Sequence, residues 1–142
     1  MPFDASPLIV LVHRLAAADR GAVARVSRRL HVPPLAAGAL IGLADGSTTT
    51  AHRLQAELDL SPGGATALIT QLERRALIAR EPDPDRPGQT RVRLACAAAR
   101  ELRLALEPLT ARTAAATAPL APAEQALAVE YLAALVEAVN GV

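Results

Sequence analysis

Apolar residues recur along this chain in two rhythms, and the change between them organises it. From residue 7 to about residue 30, Leu8, Leu11, Val12, Leu15, Ala22, Val26 and Leu30 keep the three-and-four spacing of one helical face, with Gly21 as a weak point. Ser6-Pro7 opens the run as a cap followed by a first-turn proline. Val32-Pro33-Pro34 ends it, because residues before proline avoid the α region and proline cannot extend the ladder. At about 1.5 Å per residue such a helix spans roughly 35 Å, more than one side of a small domain requires, so part of its apolar face calls for a partner outside its own core. Residues 35–43 form a short helix of small side chains, suited to a position squeezed between neighbours and closed by Asp45-Gly46-Ser47. Thr49 or Thr50 then caps a third helix, with Ala51, Leu54 and Leu58 inward and His52, Arg53, Gln55 and Glu57 outward.

After the tight connection Asp59-Leu60 comes the stretch 61–75, which the rest of the chain is built to hold. Ser61 caps it, Pro62 takes its first turn, and Ala65, Leu68, Ile69, Leu72 and Ala76 make one buried stripe. The opposite face carries Gly63, Gly64, Thr66, Ala67, Thr70, Gln71 and Arg74, small and neutral up to its basic end. Such a face lies either in a DNA groove or in solvent, and the helix alone does not separate the two. Past Arg75 the period falls to two: residues 77–81 and 89–94 read as strands, the second with Val92 and Leu94 on one side and Arg91 and Arg93 on the other. Between them, Pro82-Asp83-Pro84-Asp85-Arg86-Pro87-Gly88 is almost entirely turn-forming, giving a hairpin with a stiff, charged tip. Two helices joined by a short turn and followed by a hairpin are the plan of a winged helix. The period then returns to helical. Residues 97–116 carry Leu102, Leu106 and Leu109, with Pro108 expected to kink the helix. Pro122 opens a last helix with Glu124 in its first turn, a stripe of Leu127, Tyr131, Leu135, Val136 and Val139, and Asn140-Gly141 to terminate it. The terminal helices are more than a winged helix needs. Leu8, Leu11 and Leu15 at one end and Leu127, Tyr131 and Leu135 at the other would bury best against a second copy.

The totals modify this picture little. With 142 residues, 51% of them hydrophobic, and only one Phe, one Tyr and no Trp, the chain supports one domain with an aliphatic core. The net charge of +1 argues against a nucleic-acid partner, but all 15 basic residues are Arg, which suits bidentate contacts to phosphate and guanine. Coding bias toward Arg and Ala is the stronger explanation of that composition. A single cysteine, Cys96, excludes an internal disulfide; it is read as a buried, inert thiol, with oxidation sensing as the alternative. The apolar run 8–12 is too short and wrongly flanked for a signal peptide, and no stretch reaches the roughly 18 to 20 apolar residues of a membrane span, so a soluble cytoplasmic protein is expected. His13, His31 and His52 have no metal-ligand spacing, no nucleophile, base and orienter share a local motif, and no phosphate loop occurs. No metal, cofactor or enzymatic activity is expected.

The order of elements, together with the run Leu54-Gln55-Ala56-Glu57-Leu58-Asp59-Leu60-Ser61-Pro62, then Leu72-Glu73-Arg74-Arg75-Ala76-Leu77-Ile78, then Asp83-Pro84-Asp85-Arg86, resembles the MarR family of bacterial transcription regulators. The resemblance implies a mainly α fold with a small β-hairpin, in which a winged helix-turn-helix core is flanked by dimerisation helices. It implies a single domain with a DNA-binding lobe at about residues 33–95 and dimerisation helices at about 6–31 and 96–140. It further implies a homodimer on a pseudo-palindromic double-stranded DNA site, acting as a repressor released by a small-molecule effector. The chain departs from the family pattern in having Ala67 and Gln71 where basic residues are frequent, Pro87 where the wing usually has Arg, and Leu94-Ala95 and Ala98 after the second strand.

On this reading the free amides near Gly63 and Gly64 meet a phosphate, while Thr66, Thr70 and Gln71 reach base edges. Arg53, Arg74 and Arg91 meet backbone phosphates, and Arg86 works from the wing. Thr50, Ser61 and Ala67 complete the DNA-facing set. The rival reading is a winged-helix dimer serving as a protein-interaction module with little DNA affinity, favoured by the low charge, Pro87 and the neutral helix face.

Overall fold

The computed structural model describes residues 7–44 and 49–140. Ser6, Asp45-Gly46-Ser47, Gly141 and the side chains of Leu8 and Val139 lie outside the described residues. The elements are α1 (Pro7–Leu30), α2 (Pro34–Gly42), β1 (Thr49–Thr50), α3 (Ala51–Glu57), α4 (Pro62–Arg74), β2 (Ile78–Pro82), β3 (Thr90–Leu94), α5 (Cys96–Thr117) and α6 (Pro122–Asn140). This is a mainly helical chain with a small antiparallel sheet, a winged helix-turn-helix core flanked by helices.

Helix ends follow from local chemistry. Thr50 accepts a hydrogen bond from the Arg53 N–H at 3.2 Å and so caps α3; Ser61 accepts from the Gly64 N–H at 3.1 Å and caps α4. Three helices end alike. His31, Asp59 and Ala76 adopt φ of 52°, 51° and 54°, and the N–H of the next residue bonds back to the carbonyl five positions earlier: Val32 to Ser27, Leu60 to Gln55, Leu77 to Leu72. This is the left-handed closing turn usually given to glycine. It removes Ala76 from the stripe to which the periodicity assigned it: Ala76 is exposed. Ala51, expected inward, is exposed as well, because it begins α3 at the surface. Helix α5 continues as one helix through Pro108.

The sheet has one strand more than the hairpin predicted from sequence. Thr49 and Thr50 pair antiparallel with Val92 and Arg91, giving the order β1-β3-β2. The hairpin register runs from Ile78 opposite Leu94 to Pro82 opposite Thr90.

The chain forms two compact units that divide between Leu106 and Glu107. The core of the first gathers Val26 and Leu30 of α1, Ala36, Ala37, Ala39 and Leu40 of α2, and Leu54 of α3. Leu68, Ile69 and Leu72 of α4, Leu102 and Ala105 of α5, and Val32, Leu43, Ile78 and Val92 complete it. It is aliphatic throughout, as the composition requires. The small residues of α2 are buried against these neighbours, which their lack of bulk permits. The buried residues of α1 lie in its C-terminal half, at Ala22, Val26 and Leu30, while Ile9, Val10, Leu11 and Leu15 are exposed. In the second unit, the Glu124 carboxylate accepts from the Ala121 N–H at 2.7 Å, and the Gln125 amide donates to the carbonyls of Thr117 and Leu120. On α6, Leu127, Val129, Tyr131, Leu132 and Val136 are exposed, and Leu135 is half-buried.

Candidate nucleic-acid interface

Helix α4 buries Ala65, Leu68, Ile69 and Leu72 and turns its other side outward. Gly63, Thr66, Ala67, Gln71 and Arg74 are exposed, while Gly64 and Thr70 are half-buried. Around Gly63 there is open space where a side chain would stand; a side chain at Gly64 would crowd the capping hydroxyl of Ser61. The first turn is therefore open to close approach at Gly63. The Thr66 hydroxyl donates to the Pro62 carbonyl at 3.0 Å, so its proton is engaged while its methyl and lone pairs stay available.

The arginines expected to meet DNA divide into two kinds. Arg53 is bound to Glu57 at 2.7 Å, one turn away on α3. Arg91 is bound to Asp83 at 2.8 Å and to Asp85 at 2.5 Å. Arg74 and Arg86 are exposed with no side-chain partner among the described residues. Thr50 is half-buried and occupied with its cap, and Ser61 is exposed but likewise accepts at its cap.

The bonds of Arg91 account for the wing. Asp83 is nearly buried, accepts the Asp85 N–H at 2.9 Å and, through its backbone N–H and carbonyl, bonds Gln89 and Arg86. Gly88 supplies the left-handed turn with φ 85°. Burial pushes the Asp83 carboxyl up, yet the Asp85 N–H, the Arg91 guanidinium and the Arg86 N–H outweigh it and hold the group below its ordinary value. The clasp stiffens the tip and leaves Arg86 projecting. Arg93 closes a further pair with Glu81 at 2.8 Å.

Two arginines that sequence reasoning left without a role are engaged here. Arg80, on β2, reaches α4: its Nε donates to Glu73 at 2.8 Å and its Nη2 to the Thr70 hydroxyl at 3.0 Å. Arg75 donates from Nη1 and Nη2 to the carbonyls of His31 and Leu30, both at 2.8 Å, and so ties the end of α4 to the end of α1.

Other chemistry is sparse. Among the described residues no group of three His, Cys, Asp or Glu side chains is placed to hold a metal, and His13, His31 and His52 are each exposed. Cys96 is exposed at the first position of α5, not buried as expected, because the chain leaves the sheet there and the face turned to the core belongs to Ala98 and Leu102. An open groove of about 450 Å³ along α5 is lined by Leu109, Thr110, Thr113, Ala114 and Thr117. No helix among the described residues is long and apolar enough to cross a membrane.

No protein-family model matches the sequence, and no curated protein does. Solved structures match in fold. A mutant of MepR from a multidrug-resistant S. aureus clinical isolate aligns over 98% of this chain and 99% of its own, with TM-score 0.73 and 13% identity. NadR in complex with 4-hydroxyphenylacetate aligns over 95% and 96%, with TM-score 0.67 and 14% identity. A MarR-family transcriptional regulator from Silicibacter pomeroyi aligns over 91% and 87%, with TM-score 0.64 and 16% identity. The chain has a MarR-like winged helix-turn-helix fold.

Proposed function

We propose that the chain is a sequence-specific, DNA-binding transcription regulator that works as a homodimer, with α4 in the major groove and the β2–β3 wing beside it. The observation that carries the reading is the open, capped start of α4 with its exposed Gln71, and Arg74 and, on a clasped wing tip, Arg86, both exposed and without a side-chain partner among the described residues. A capped helix N-terminus meets a phosphate, free arginines add phosphate contacts, and neutral side chains between them read bases. In this reading residues 33–95 are the DNA-binding lobe, and residues 6–31 and 96–140 are the dimerisation helices. The exposed Leu11, Leu15, Leu127 and Tyr131, with the half-buried Leu135, support that division, since large apolar side chains left in water mark association surfaces. The protein acts from the cytoplasm as a ligand-responsive repressor and has no enzymatic role. The similarity in fold to a structure holding 4-hydroxyphenylacetate makes small aromatic acids the first effectors to test.

The test is binding to random and selected duplex DNA as salt is varied. Arg74 and Arg86 from both protomers give four free cations, so log K against log salt should fall with a slope of about −4 for the wild type and about −2 for Arg86→Ala. An unchanged slope in Arg86→Ala would remove the wing from the interface. A second reading, a protein-interaction module of the same fold, is favoured by the pairing of Arg53, Arg80, Arg91 and Arg93 with carboxylates, which leaves few cations for DNA. No retention on random duplex DNA or heparin at low salt, together with no sequence enriched from a random duplex pool, would favour it.

A further inference from the structure

The outward face of α4 has no cation of its own before Arg74, and its one charge there, the exposed Glu73, is met by an arginine from a strand. Ala67, Thr70 and Arg74 lie at helical spacing opposite Leu68 and Leu72, so Thr70 sits near the middle of the outward face. It is half-buried there because the Arg80 guanidinium, from β2, lies against it. Nε of Arg80 donates to Glu73 and Nη2 to Thr70. Both acceptors stand on α4, so the Nε–Nη2 edge faces that helix. A guanidinium carries five N–H donors. Three remain, among them the Nη1–Nη2 fork, on a side chain 37% exposed.

We propose that Arg80 is a specificity-determining residue that reads guanine through this fork. The inference rests on the DNA-binding reading above and names a contact within it. Guanine presents two acceptors, O6 and N7, on its major-groove edge, which a guanidinium fork matches in parallel. A phosphate is a poorer match. Glu73 cancels the local charge that attracts phosphate and repels the anion, whereas a guanine contact depends on orientation, which Glu73 and Thr70 fix from two sides. The outward face of α4 thereby acquires a base-reading group that belongs to another element.

Selection of bound sequences from a random duplex pool tests this with the full chain. The wild type is expected to enrich a guanine at one symmetric position in each half-site. Arg80→Ala should lose that preference roughly 10- to 100-fold while still enriching the rest of the site. Arg80→Lys keeps a cation able to pair with Glu73 but has no fork, so it should bind with most of the affinity and little of the guanine preference; it keeps the test valid if Arg80→Ala does not fold. Glu73→Ala should move the two readouts apart, with tighter binding to random DNA and weaker choice of guanine. Unchanged guanine preference in Arg80→Ala and Arg80→Lys overturns the inference. A uniform loss of affinity on all sequences with a shallower salt slope also overturns it, by making Arg80 a phosphate contact. If the wild type enriches no sequence, the DNA-binding reading fails and the guanine contact with it.

Discussion

Arg75 closes α4 and is bound to the far end of α1, so its replacement measures how firmly the reading helix is seated. Its two terminal nitrogens donate to the carbonyls of His31 and Leu30 at 2.8 Å. Those carbonyls lie at the closing turn of α1, where C=O groups lack helical partners and the negative end of the helix dipole lies. Arg75→Ala removes both bonds and the cation together. A hydrogen bond to a charged group contributes about 1.5 to 3 kcal/mol when water does not compete for it. The bond to His31 is exposed and water largely replaces it, so about 0.5 kcal/mol is assigned there. The bond to Leu30 is partly buried and is assigned about 1.5 kcal/mol. The expected loss is about 2 kcal/mol. With a urea m-value of about 2 kcal/mol per molar, the unfolding midpoint should fall by about 1 M, measured at fixed protein concentration because association would shift it. Arg75→Lys, able to reach one carbonyl at a time, should recover about half. A midpoint lowered by less than about 0.25 M, or full recovery in the lysine variant, refutes the assignment of these bonds as the seat of α4.

Ala76→Gly should stabilise the chain by about 0.5 to 1 kcal/mol in the same assay, since an exposed alanine there holds φ 54° and glycine removes the left-handed penalty at some cost in chain entropy. Gly63→Ala should also stabilise, by about 0.5 kcal/mol, because the added methyl meets open space, yet it should weaken DNA binding by keeping a phosphate from the α4 amides; equal affinity would argue against that contact. The Asp83 carboxyl, held below its ordinary value, stabilises the wing fully above about pH 4, and that contribution disappears as pH falls through the folded value. In Arg91→Ala its pKa should rise, as followed by carboxyl NMR; an unmoved titration means that the Arg91 clasp does not hold Asp83. Leu127→Asp combined with Tyr131→Asp should shift sedimentation from dimer to monomer without loss of helicity, and an unchanged dimer would place the association surface elsewhere.

What could be read from the sequence was what depends on neighbours in the chain. The bounds of α1, the cap and proline of α4, its stripe from Ala65 to Leu72 and the alternation of β3 are local patterns, and the structure follows them. The misses arise where tertiary contacts or turn geometry decide. Thr49–Thr50 is too short to alternate and is a strand only because β3 runs beside it. Ala76 continued the spacing numerically, but a left-handed residue breaks the helical phase on which that count depends. For the candidate site, the outward set on α4 was legible because it is the complement of the buried stripe. The partners of Arg53, Arg80 and Arg91 were not equally so. The Arg53–Glu57 pair is an i, i+4 contact visible in principle, whereas the engagement of Arg80 with Thr70 depends on how the hairpin packs against α4.

The pairing of charge within the lobe bears on whether a chain of net charge +1 is suited to DNA. Between residues 49 and 95, five of the six carboxylates, those of Glu57, Glu73, Glu81, Asp83 and Asp85 but not Asp59, are each bound to an arginine. Paired charges at contact distance have little field beyond a Debye length, about 8 Å at physiological salt, so these acids repel a distant phosphate weakly and their arginines attract it weakly. Net charge therefore misstates what a duplex meets. At α4 and the wing tip it meets two arginines without a side-chain partner among the described residues, Arg74 and Arg86, and groups whose hydrogen-bonding directions are fixed by neighbours. Few free cations and many oriented donors shift the balance of binding free energy from counterion release toward contacts that depend on sequence. Such a protein would hold random DNA poorly and its own site well, with a salt dependence shallower than that of a reader whose arginines all face phosphate. Weak retention on non-specific DNA thus agrees with both proposed readings, and it is the recovery of a sequence from a random pool that separates them.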